Sequence, residues 1–455
     1  MSITSKSATG AGSPRSAMFV VAICFVTIIF DGYDLVVYGA TVPSILADQE
    51  WNVSPEQAGA IGGYALMGML IGALVVGAVT DIVGRRKIML ISLTWFSMTM
   101  GLTALAPSAE VFGLLRFIAG LGLGGVVPTA IALTVEYSPK HRRQFNNALM
   151  FSGYPVGGIL SALAALALLP VTDFRVMYAL GALPLVTVLP LAYRYLPESP
   201  RFLAAKGRRE EAFRLAERYR LDTNEIEAAA EAAEVVPVAR TSGIRTLFTG
   251  RFIVATVVFA LASFCGLLLV YGLNTWLPNI MVEAGYALGS SLAFLLILNA
   301  GAIVGTISAS RIADRVGSKA VTATAFLAAT ISILLLSMRL PTGVLYLLVA
   351  VAGLGSVGSQ ILVNGYVAAH YPDAARATAL GWALGVGRLG AILGPILGGY
   401  VAASSLGYQW NFYMFAAFAV VGGLMTLLVP RRGSAAKAQE TLRSTPIRAG
   451  DEVAR

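Results

Sequence analysis

Charged side chains are scarce in this chain. Asp, Glu, Lys and Arg together make up 13% of its 455 residues, whereas an ordinary soluble domain carries about a quarter. Hydrophobic residues make up 57% of the chain, and the few charges fall in short intervals between long apolar runs. This distribution leaves no room for separate soluble cores, and it predicts a protein built to lie in a lipid bilayer.

Cysteine and histidine are also rare, with two of each. Cys24 and Cys265 lie inside apolar runs, and neither their spacing nor their context predicts a disulfide or a metal site. His141 and His370 fall at predicted helix ends, which excludes a histidine-rich metal centre. The chain shows no nucleophile with a neighbouring base and no phosphate-binding loop, so we expect no enzymatic activity, no metal and no cofactor.

Apolar stretches of about 20 residues, the length that crosses a bilayer as a helix, recur along the chain. The first six predicted spans lie near 17–47, 55–80, 87–106, 110–135, 143–169 and 174–194. After a polar interval, six more lie near 250–280, 287–310, 319–338, 342–369, 376–403 and 409–430.

The basic residues predict the orientation. With the N-terminus inside, 29 of the 33 lysines and arginines fall in cytoplasmic segments, and only Arg175 and Arg339 face the other side. This asymmetry is the one that positive-inside topology requires. It predicts a multi-pass protein of the inner membrane with both termini in the cytoplasm. The net charge of +9 therefore reflects topology and attraction to anionic lipid, and we expect no nucleic-acid partner.

The two groups of six spans repeat one design. Adding 233 to a position in the first group finds its counterpart in the second: Tyr38-Gly39 matches Tyr271-Gly272, and Asp81-x-x-Gly84 matches Asp314-x-x-Gly317. A single offset through loops and helices indicates a duplicated six-helix unit. The predicted fold is therefore an all-α polytopic membrane protein with twelve transmembrane helices in two pseudo-symmetric halves. Paired halves place a substrate site between them, near the bilayer midplane.

The composition also predicts how the chain is divided. The segments are a cytoplasmic N-tail (1–16), a first half (17–195), a cytoplasmic linker with helices (196–249), a second half (250–430) and a cytoplasmic C-tail (431–455). In the linker, Ser199 can cap and Pro200 can open a helix. We expect the linker to tether the halves, and a monomer to be the functional unit.

Residues 77–86 read Gly77-Ala-Val-Thr-Asp81-Ile-Val-Gly84-Arg85-Arg86, between the second and third spans. This stretch resembles the signature loop of the major facilitator superfamily. The resemblance implies a cytoplasmic gate, in which glycine permits a tight turn while Asp and Arg exchange charge-assisted hydrogen bonds. Plain positive-inside anchoring would account for the two arginines, but it leaves Asp81 and the glycines unexplained.

A weaker copy of the loop, Asp314-Arg315-Val-Gly317-Ser-Lys319, lies at the matching place in the second half. The superfamily usually has Arg directly after the Asp. Arg315 satisfies this pattern, but Ile82 departs from it in the first half, so we expect two unequal gates.

Three further stretches resemble the aromatic acid:proton symporters. They are Asp31-Gly-Tyr33-Asp34, Tyr271-Gly-Leu-Asn274-Thr-Trp276-Leu-Pro278, and Gly387-Arg388-Leu-Gly390-Ala-Ile-Leu-Gly394-Pro395. The resemblance covers roughly residues 17–430. It implies proton-coupled uptake of an aromatic carboxylate, such as a hydroxybenzoate or a benzoate, by alternating access.

Four charged residues lie well inside predicted spans, away from their ends: Asp31, Asp34, Arg116 and Arg388. Each such charge is costly in lipid, so a functional role is the default interpretation. Asp31 and Asp34 share one helix face, where both cannot be ionised cheaply, and a carboxylate that alternately takes up and releases a proton can couple transport to it. A static pair neutralised by an arginine is the alternative.

Arg116 and Glu136 belong to a fourth-span element that resembles one associated with proton coupling in the superfamily. The alternative for Arg116 is that its side chain extends to the outer interface. For Glu136, the alternative is an ion pair with Arg142 or Arg143 at the cytoplasmic end of the span.

Arg388 can hold a carboxylate through two parallel hydrogen bonds, so we predict that it binds the substrate together with Asp34. The alternative is a standing ion pair with an aspartate. Flat walls for an aromatic ring would come from Tyr33, Tyr38, Tyr154 and Trp382, and Asn274 is a candidate for a hydrogen bond to a ring hydroxyl.

Other functions remain open on the sequence alone. A proton-coupled porter of another metabolite, such as a dicarboxylate or a sugar, would share the fold and the gate. A drug:proton antiporter would carry its glycine-proline signature in the fifth span, whereas the fuller version here lies in the eleventh. A membrane sensor that binds aromatic acids without net flux would need the same binding residues.

Overall fold

The computed structural model describes residues 14–234, 247–249 and 252–430. Within these ranges the chain forms helices joined by short connections, with no strand. Residues 1–13 of the predicted N-tail, 235–246 of the predicted linker and the whole predicted C-tail (431–455) lie outside the described residues.

The first half of the fold contains six spans, two of them built from a pair of helices. Their bounds are span 1 Pro14–Ala47, span 2 Pro55–Val83, span 3 Arg85–Thr103, span 4 Ala109–Glu136, span 5 Arg143–Phe151 with Gly153–Leu168, and span 6 Arg175–Leu180 with Val188–Tyr195.

The second half repeats this arrangement. Its bounds are span 7 Ile253–Glu283, span 8 Leu288–Val316, span 9 Ser318–Leu336, span 10 Thr342–Gly353 with Ser359–His370, span 11 Asp373–Ala403, and span 12 Gln409–Leu428. The predicted fold of twelve helices is confirmed. Eleven spans within the described ranges are long and apolar enough to cross a membrane by composition alone. Span 3 is not among these eleven, because Arg85, Arg86 and Lys87 form its first turn and lower its hydropathy.

Three spans that the sequence predicts as continuous are interrupted. Span 6 breaks at a 3₁₀ turn, Leu183–Leu185, where Pro184 has no N–H to donate. Span 5 breaks at Ser152, and Pro155 lies in the first turn of its second helix, where proline is tolerated. Span 10 widens into a π-helical turn at Leu354–Gly358, within a glycine-rich stretch.

The bundle has two ends, which we name by what they carry. The linker face has the turns at Gly84 and Gly317 and the linker helices Pro200–Ala205, Arg209–Tyr219 and Thr223–Glu234. The opposite face has the connections after span 1 and span 7. The two turn glycines lie 233 residues apart, and their φ angles are nearly the same, +102° at Gly84 and +101° at Gly317. Only glycine adopts this backbone readily, so the repeat seen in sequence is also a repeat in conformation.

Glycines also set how closely spans approach within each half. A Cβ at Gly157 of span 5 would overlap the carbonyl of Ile29 in span 1, and one at Gly390 of span 11 would overlap the carbonyl of Phe264 in span 7. The two glycines are again 233 residues apart. Small residues allow such backbone contact in membranes, where packing replaces the hydrophobic effect as the force between helices.

The two halves contact each other in the part of the bundle that is nearer the opposite face. The main packing between them joins span 1 to span 7, span 2 to span 11 and span 5 to span 8. At these crossings Gly39 lies against the Asn274 carbonyl and Gly59 against Gly399. Toward the linker face, the second helix of span 10 packs on spans 7, 8, 9 and 11 of its own half. Among the described residues, the halves are therefore in close contact toward the opposite face and separate toward the linker face.

The linker helices are attached to the first half by ion pairs. Ser199 caps the first of them, as predicted, by accepting a hydrogen bond from the Phe202 N–H at 3.0 Å. Glu225 accepts two hydrogen bonds from Arg143 at 2.8 and 2.7 Å, and it also pairs with Arg201. We call Arg143, Arg201 and Glu225 the linker clamp. Its hydrogen bond from Arg143 lowers the pKa of Glu225 to about 2.

We predict that the linker clamp is insensitive to pH in the physiological range. A lowered pKa gives stability that is present above the ordinary glutamate value and is lost only as the pH falls through about 2. Glu225→Gln should therefore lower thermal stability in detergent by about 1 kcal/mol, by the same amount between about pH 5 and about pH 8. Glu227→Gln, on an exposed position of the same helix, is the control. A difference that disappears near neutral pH would contradict the clamp.

We also predict that Gly120 is required for span 4 to pack on span 2. A Cβ at Gly120 would overlap the carbonyl of Ala65, whereas one at Gly343, in the first turn of span 10, would meet nothing within 4 Å. Gly120→Val should therefore cost about 1–3 kcal/mol of thermal stability or prevent assembly. Gly343→Val should stay close to the wild type, and equal losses in both variants would rule out the backbone contact as the cause.

Candidate functional site

Asp34 and Arg116 form an ion pair inside the first half. Arg116 Nη1 donates to Asp34 Oδ1 at 2.5 Å, and both side chains are 1% exposed. Nη2 of the same guanidinium donates to the Asp34 backbone carbonyl at 3.3 Å. The pair joins span 1 to span 4. The alternative in which Arg116 extends to the interface is therefore wrong in this structure, because its charge is compensated where it lies.

Aromatic side chains close around the pair. The guanidinium lies over the ring of Tyr38 at 5.6 Å and over that of Tyr178 at 5.9 Å. The Tyr38 hydroxyl donates to the Ala58 carbonyl at 2.5 Å, and the Tyr178 hydroxyl shares a hydrogen bond with Thr41 at 2.7 Å. Ring faces attract cations most strongly where water is excluded. Arg116 and Asp34 are thus held within the first half by contacts from spans 1, 4 and 6.

Asp31 has a different environment. Its side chain is 0% exposed, and no described residue donates a hydrogen bond to either carboxylate oxygen. Arg388 of span 11 lies close enough to interact electrostatically with this carboxylate, but Nη1 of Arg388 is itself buried without a hydrogen-bond partner among the described residues. Buried polar groups normally have hydrogen-bond partners. Asp31 of the first half and Arg388 of the second half are therefore unusual, because they interact electrostatically and both have unused hydrogen-bonding capacity.

Two tyrosines complete this group. The Tyr154 hydroxyl of span 5 lies close to that of Tyr271 of span 7, and it interacts electrostatically with Asp31 and Arg388. All four residues lie near the middle of their spans, and the spans come from both halves. We call Asp31, Tyr154, Tyr271 and Arg388 the midplane group.

Several residues predicted to line the substrate site lie elsewhere. The Tyr33 hydroxyl donates to the Met177 carbonyl at 2.8 Å, which ties span 1 to span 6. Asn274 donates to the Val270 carbonyl at 2.7 Å and accepts from Asn299 at 3.0 Å. Its amide is therefore already engaged in holding span 7 to span 8.

Trp382 also lies apart from the midplane group. Its side chain is 42% exposed, and its ring meets Phe248 edge-on at 5.2 Å. Leu389, Leu393 and Tyr400 are exposed too, and their spacing puts them on the same stripe of span 11 as Trp382. Arg388 lies about 120° away around the helix. The packing therefore gives Trp382 an outward position.

Glu136 joins the linker face. Its carboxylate accepts a hydrogen bond from the Ser199 hydroxyl, so the predicted alternative of a pair with Arg142 or Arg143 is not what the structure shows. Arg143 is engaged by Glu225 instead. Glu136 thus helps to seat the first linker helix at the end of span 4, away from the midplane group.

The first signature loop docks on the start of the linker. The backbone N–H of Arg86 donates to Glu198 Oε1 at 3.0 Å. Nη2 of the Arg86 guanidinium donates to the Tyr193 carbonyl at 2.6 Å. Arg85 lies over the Phe202 ring at 5.5 Å. Gly84 is needed there for space as well as for its backbone, because a Cβ would lie 2.5 Å from the Glu198 carboxylate.

The second signature loop shares one of these contacts and lacks others. Lys319 Nζ donates to the Val429 carbonyl at the end of span 12 at 2.7 Å, as Arg86 does to the Tyr193 carbonyl at the end of span 6. A Cβ at Gly317 would meet nothing within 4 Å, and the same is true of Gly77 at the start of the first motif. Arg315 is exposed. The side chains of Asp81 and Asp314 lie outside the described part of the structure. The two loops therefore differ in their surroundings, although their turns match.

Sequence reasoning missed Tyr178 and Gln360. Tyr178 lies in span 6, in no recognisable motif, and only packing brings it to Arg116. Gln360 is a 6% exposed amide in span 10, and it follows the glycine run Gly353-x-Gly355-x-x-Gly358 by two positions. A polar residue next to glycines in an apolar span was a signal that could have found it, and its amide belongs to the packing of span 10 on span 7, because a Cβ at Gly266 would lie 2.6 Å from its Oε1.

Twelve spans in two related halves, with charged residues from both halves at mid-span, define a secondary transporter fold. A family model described as Major Facilitator Superfamily matches residues 24–384 and 297–451. The chain belongs to this superfamily, as its signature loop predicts.

Characterised relatives are similar over most of their length. The chain is 37% identical to a benzoate transport protein of Acinetobacter baylyi, over 91% of this chain and 89% of the relative. It is 39% identical to a gentisate transporter of Corynebacterium glutamicum, over 93% and 89%. It is 29% identical to the 4-hydroxybenzoate transporter PcaK of Pseudomonas aeruginosa, over 91% and 92%. The predicted resemblance to aromatic acid transporters is confirmed.

Among solved structures, the inward-open xylose transporter XylE from E. coli is similar in fold. The TM-score is 0.75, with 17% sequence identity, and the match covers 94% of this chain and 99% of that one. At this identity the likeness concerns the fold alone, and it supports the assignment of the twelve helices to two halves.

We predict that Arg116 and Asp34 stabilise the protein only as a pair. Arg116→Ala leaves a buried carboxylate uncompensated and should cost about 3–5 kcal/mol. The double variant Arg116→Ala/Asp34→Ala should lose clearly less than the sum of the single losses, which a double-mutant cycle on thermal stability in detergent would measure.

The matched control is the exposed pair of Arg175 and Asp173, which lies at 3.0 Å in the same half. Arg175→Ala should cost at most about 1 kcal/mol. Additive losses for the buried pair would show that Asp34 and Arg116 do not depend on each other.

Proposed function

We propose that this protein takes up an aromatic carboxylate, such as a benzoate or a hydroxybenzoate, together with protons by alternating access. Three relatives named for the transport of benzoate, gentisate and 4-hydroxybenzoate support the substrate class. The midplane group supports the coupling, and the observation that carries it is the unbonded approach of Arg388 to Asp31.

In this proposal Arg388 binds the substrate carboxylate. Its guanidinium has five donors and suits a planar carboxylate through two parallel hydrogen bonds. Nη1 is buried and without a partner among the described residues, so it has a bond to offer. Tyr154 and Tyr271 flank this place, with a hydroxyl for the carboxylate and a ring face for the substrate ring.

Asp31 carries the proton. One guanidinium compensates one carboxylate, so two carboxylates beside Arg388 are compensated only when one of them is protonated. Binding of the anionic substrate therefore favours protonated Asp31, and release of the substrate favours release of the proton. This reciprocity is the thermodynamic basis of symport.

Asp34 and Arg116 have a positioning role in the proposal. Their ion pair fixes span 1 against span 4, so that Asp31, one helical turn from Asp34, is presented to the second half. We assign them to proton coupling through this positioning, and we assign Glu136 to the seating of the linker.

The sidedness follows from charge. The linker face holds the basic loops, and 29 of the 33 lysines and arginines lie in segments assigned to it. By the positive-inside rule, this face is cytoplasmic in the inner membrane and both termini are inside. The separation of the halves toward the linker face then corresponds to an inward-open state, and we propose that a monomer completes the cycle.

The two signature loops serve as the cytoplasmic gate. Gly77, Asp81, Gly84, Arg85 and Arg86 form the first part of it, and Asp314, Arg315 and Gly317 form the second. The first loop is docked on the linker, and the second is attached to the end of span 12 through Lys319. We propose that closure of the cytoplasmic face changes the contacts of the second loop more than those of the first.

We predict the outcome of uptake assays on purified protein in liposomes. With an inward proton gradient, the wild type should accumulate labelled 4-hydroxybenzoate or benzoate. Arg388→Ala should lower both uptake and counterflow exchange by about 30-fold or more, because removing one partner of a buried charge-assisted contact costs at least about 2 kcal/mol. Asp31→Asn should lose gradient-driven accumulation and keep exchange.

Arg339→Ala, which removes a basic residue from the connection before span 10, is the control and should leave uptake unchanged. Accumulation by Asp31→Asn as strong as in the wild type would contradict the proton-carrier role. Binding of aromatic acids by the wild type without accumulation would indicate a sensor, and accumulation of dicarboxylates or sugars alone would overturn the substrate class.

A further inference from the structure

A groove of about 280 Å³ lies between span 8 and span 9 of the second half. Ile312 and Val316 line it on span 8, Val321 and Ala328 line it on span 9, and Leu354 of span 10 contributes to its lining. Val316 is the last residue of span 8, so the groove begins at the linker face and extends from there into the apolar part of the bundle. An apolar lining of this kind suits a hydrocarbon chain and offers few partners to a polar ligand.

The groove opens toward the bilayer. Span 9 packs mainly on spans 8, 10 and 12 of its own half, which places it at the periphery of the bundle. Leu327, Ile331 and Leu334 of span 9 are exposed, and their spacing puts them on one stripe of the helix. Thr324, which lines the groove, is exposed on the same stripe. Because an exposed apolar stripe on a transmembrane helix faces lipid, the molecule that can enter this groove from outside is a lipid.

The corresponding place in the first half is filled by the protein itself. The offset of 233 puts Trp95 opposite Ala328 and Ile91 opposite Thr324. The Trp95 ring lies against span 4, since a Cβ at Gly122 would be 2.6 Å from it. The duplicated fold therefore does not require a groove at this place. Small side chains in the second half create it.

Two arginines lie beside the groove at the linker face. Arg311 and Arg315 are one helical turn apart on span 8, on the stripe next to the one that lines the groove, and both are exposed. In the first half the corresponding residues are Ala78 and Ile82. Residues 311–319 carry three basic side chains and one acidic side chain, so this end of the groove has a positive charge that complements a phosphate. The groove and the arginines thus occur together, in one half.

We propose that this groove binds an anionic phospholipid of the surrounding leaflet. One acyl chain lies between span 8 and span 9, and the headgroup phosphate lies on Arg311 and Arg315, whose guanidinium groups suit phosphate oxygens. The two contacts belong to one ligand because the arginines lie at the end of the groove where the span leaves the apolar layer. This binding gives Arg315 a role that its counterpart Ile82 cannot have.

Native mass spectrometry of the full-length protein in detergent micelles measures bound lipid and oligomeric state together. The protein is titrated with phosphatidylglycerol, with phosphatidylcholine of the same acyl chains, and with glycerol 3-phosphate. The wild type should bind phosphatidylglycerol about tenfold more tightly than phosphatidylcholine, because two basic residues attract the anionic headgroup. It should retain no glycerol 3-phosphate, which carries the phosphate without an acyl chain.

Two kinds of variant separate the acyl chain from the headgroup. Ala328→Trp fills the groove with the side chain that the first half has at this place, and it should weaken binding of both phospholipids by about fivefold or more. Arg311→Ala/Arg315→Ala should weaken binding of phosphatidylglycerol alone, by about tenfold. If Ala328→Trp does not assemble, Thr324→Ile should act on both lipids in the same direction.

The matched control is Lys87→Ala/Arg142→Ala. It removes two exposed basic residues from the linker face of the first half, so it changes the net charge by the same amount as the arginine variant. Its binding of phosphatidylglycerol should equal that of the wild type. A loss as large as in the arginine variant would show that overall charge attracts the lipid, and it would overturn the proposed site.

Three further results would overturn the inference. They are equal binding of the two phospholipids by the wild type, unchanged binding in an assembled groove variant, and retention of glycerol 3-phosphate as tight as that of phosphatidylglycerol. A wild-type dimer that becomes a monomer in Ala328→Trp would also overturn it, by showing that a second copy of the chain occupies the groove. None of these measurements depends on transport, so the proposed function stands or falls separately.

Discussion

The buried ion pair of Asp34 and Arg116 is the interaction on which the arrangement of the charged residues depends. Lipid offers no water to a charge, so each ionised group within a span needs a partner in the protein. Asp34 takes Arg116 at 2.5 Å inside the first half, with tyrosine rings around it. Asp31, on the same helix face, is left with no such partner. The charge that can reach it is Arg388, which belongs to the other half.

Close helix contact makes this separation of charges possible. Gly157 and Gly390 let span 5 and span 11 approach span 1 and span 7 at backbone distance, so each half packs as a unit around the span that carries its functional residues. Between the halves, the tight crossings lie toward the opposite face, at Gly39 and Gly59. Firm halves with a limited contact between them suit a rocking motion, in which the midplane group is reached from one side at a time.

The sequence predicted the fold almost completely, because lipid makes hydropathy and basic residues strong signals. The twelve spans, the offset of 233 and the Ser199 cap all agree with the structure. The site was predicted less well. Asp31, Tyr154 and Arg388 do come together, but Tyr33, Asn274 and Trp382 lie elsewhere. Motifs and helix faces give the depth of a residue and leave the neighbour it packs against unknown, and Tyr178 reaches Arg116 only through that packing.

The duplicated halves are equivalent in backbone and unlike in charge. The offset that matches Gly84 to Gly317 puts Phe264 opposite Asp31, and it puts Pro155 opposite Arg388. Each half therefore carries one member of the midplane pair and has an uncharged residue where the other half has its charge. A motion of one half against the other that changes the distance between Asp31 and Arg388 also changes the compensation of both charges. In the proposed mechanism, this is how a rigid-body movement is converted into uptake and release of a proton, without any further moving part.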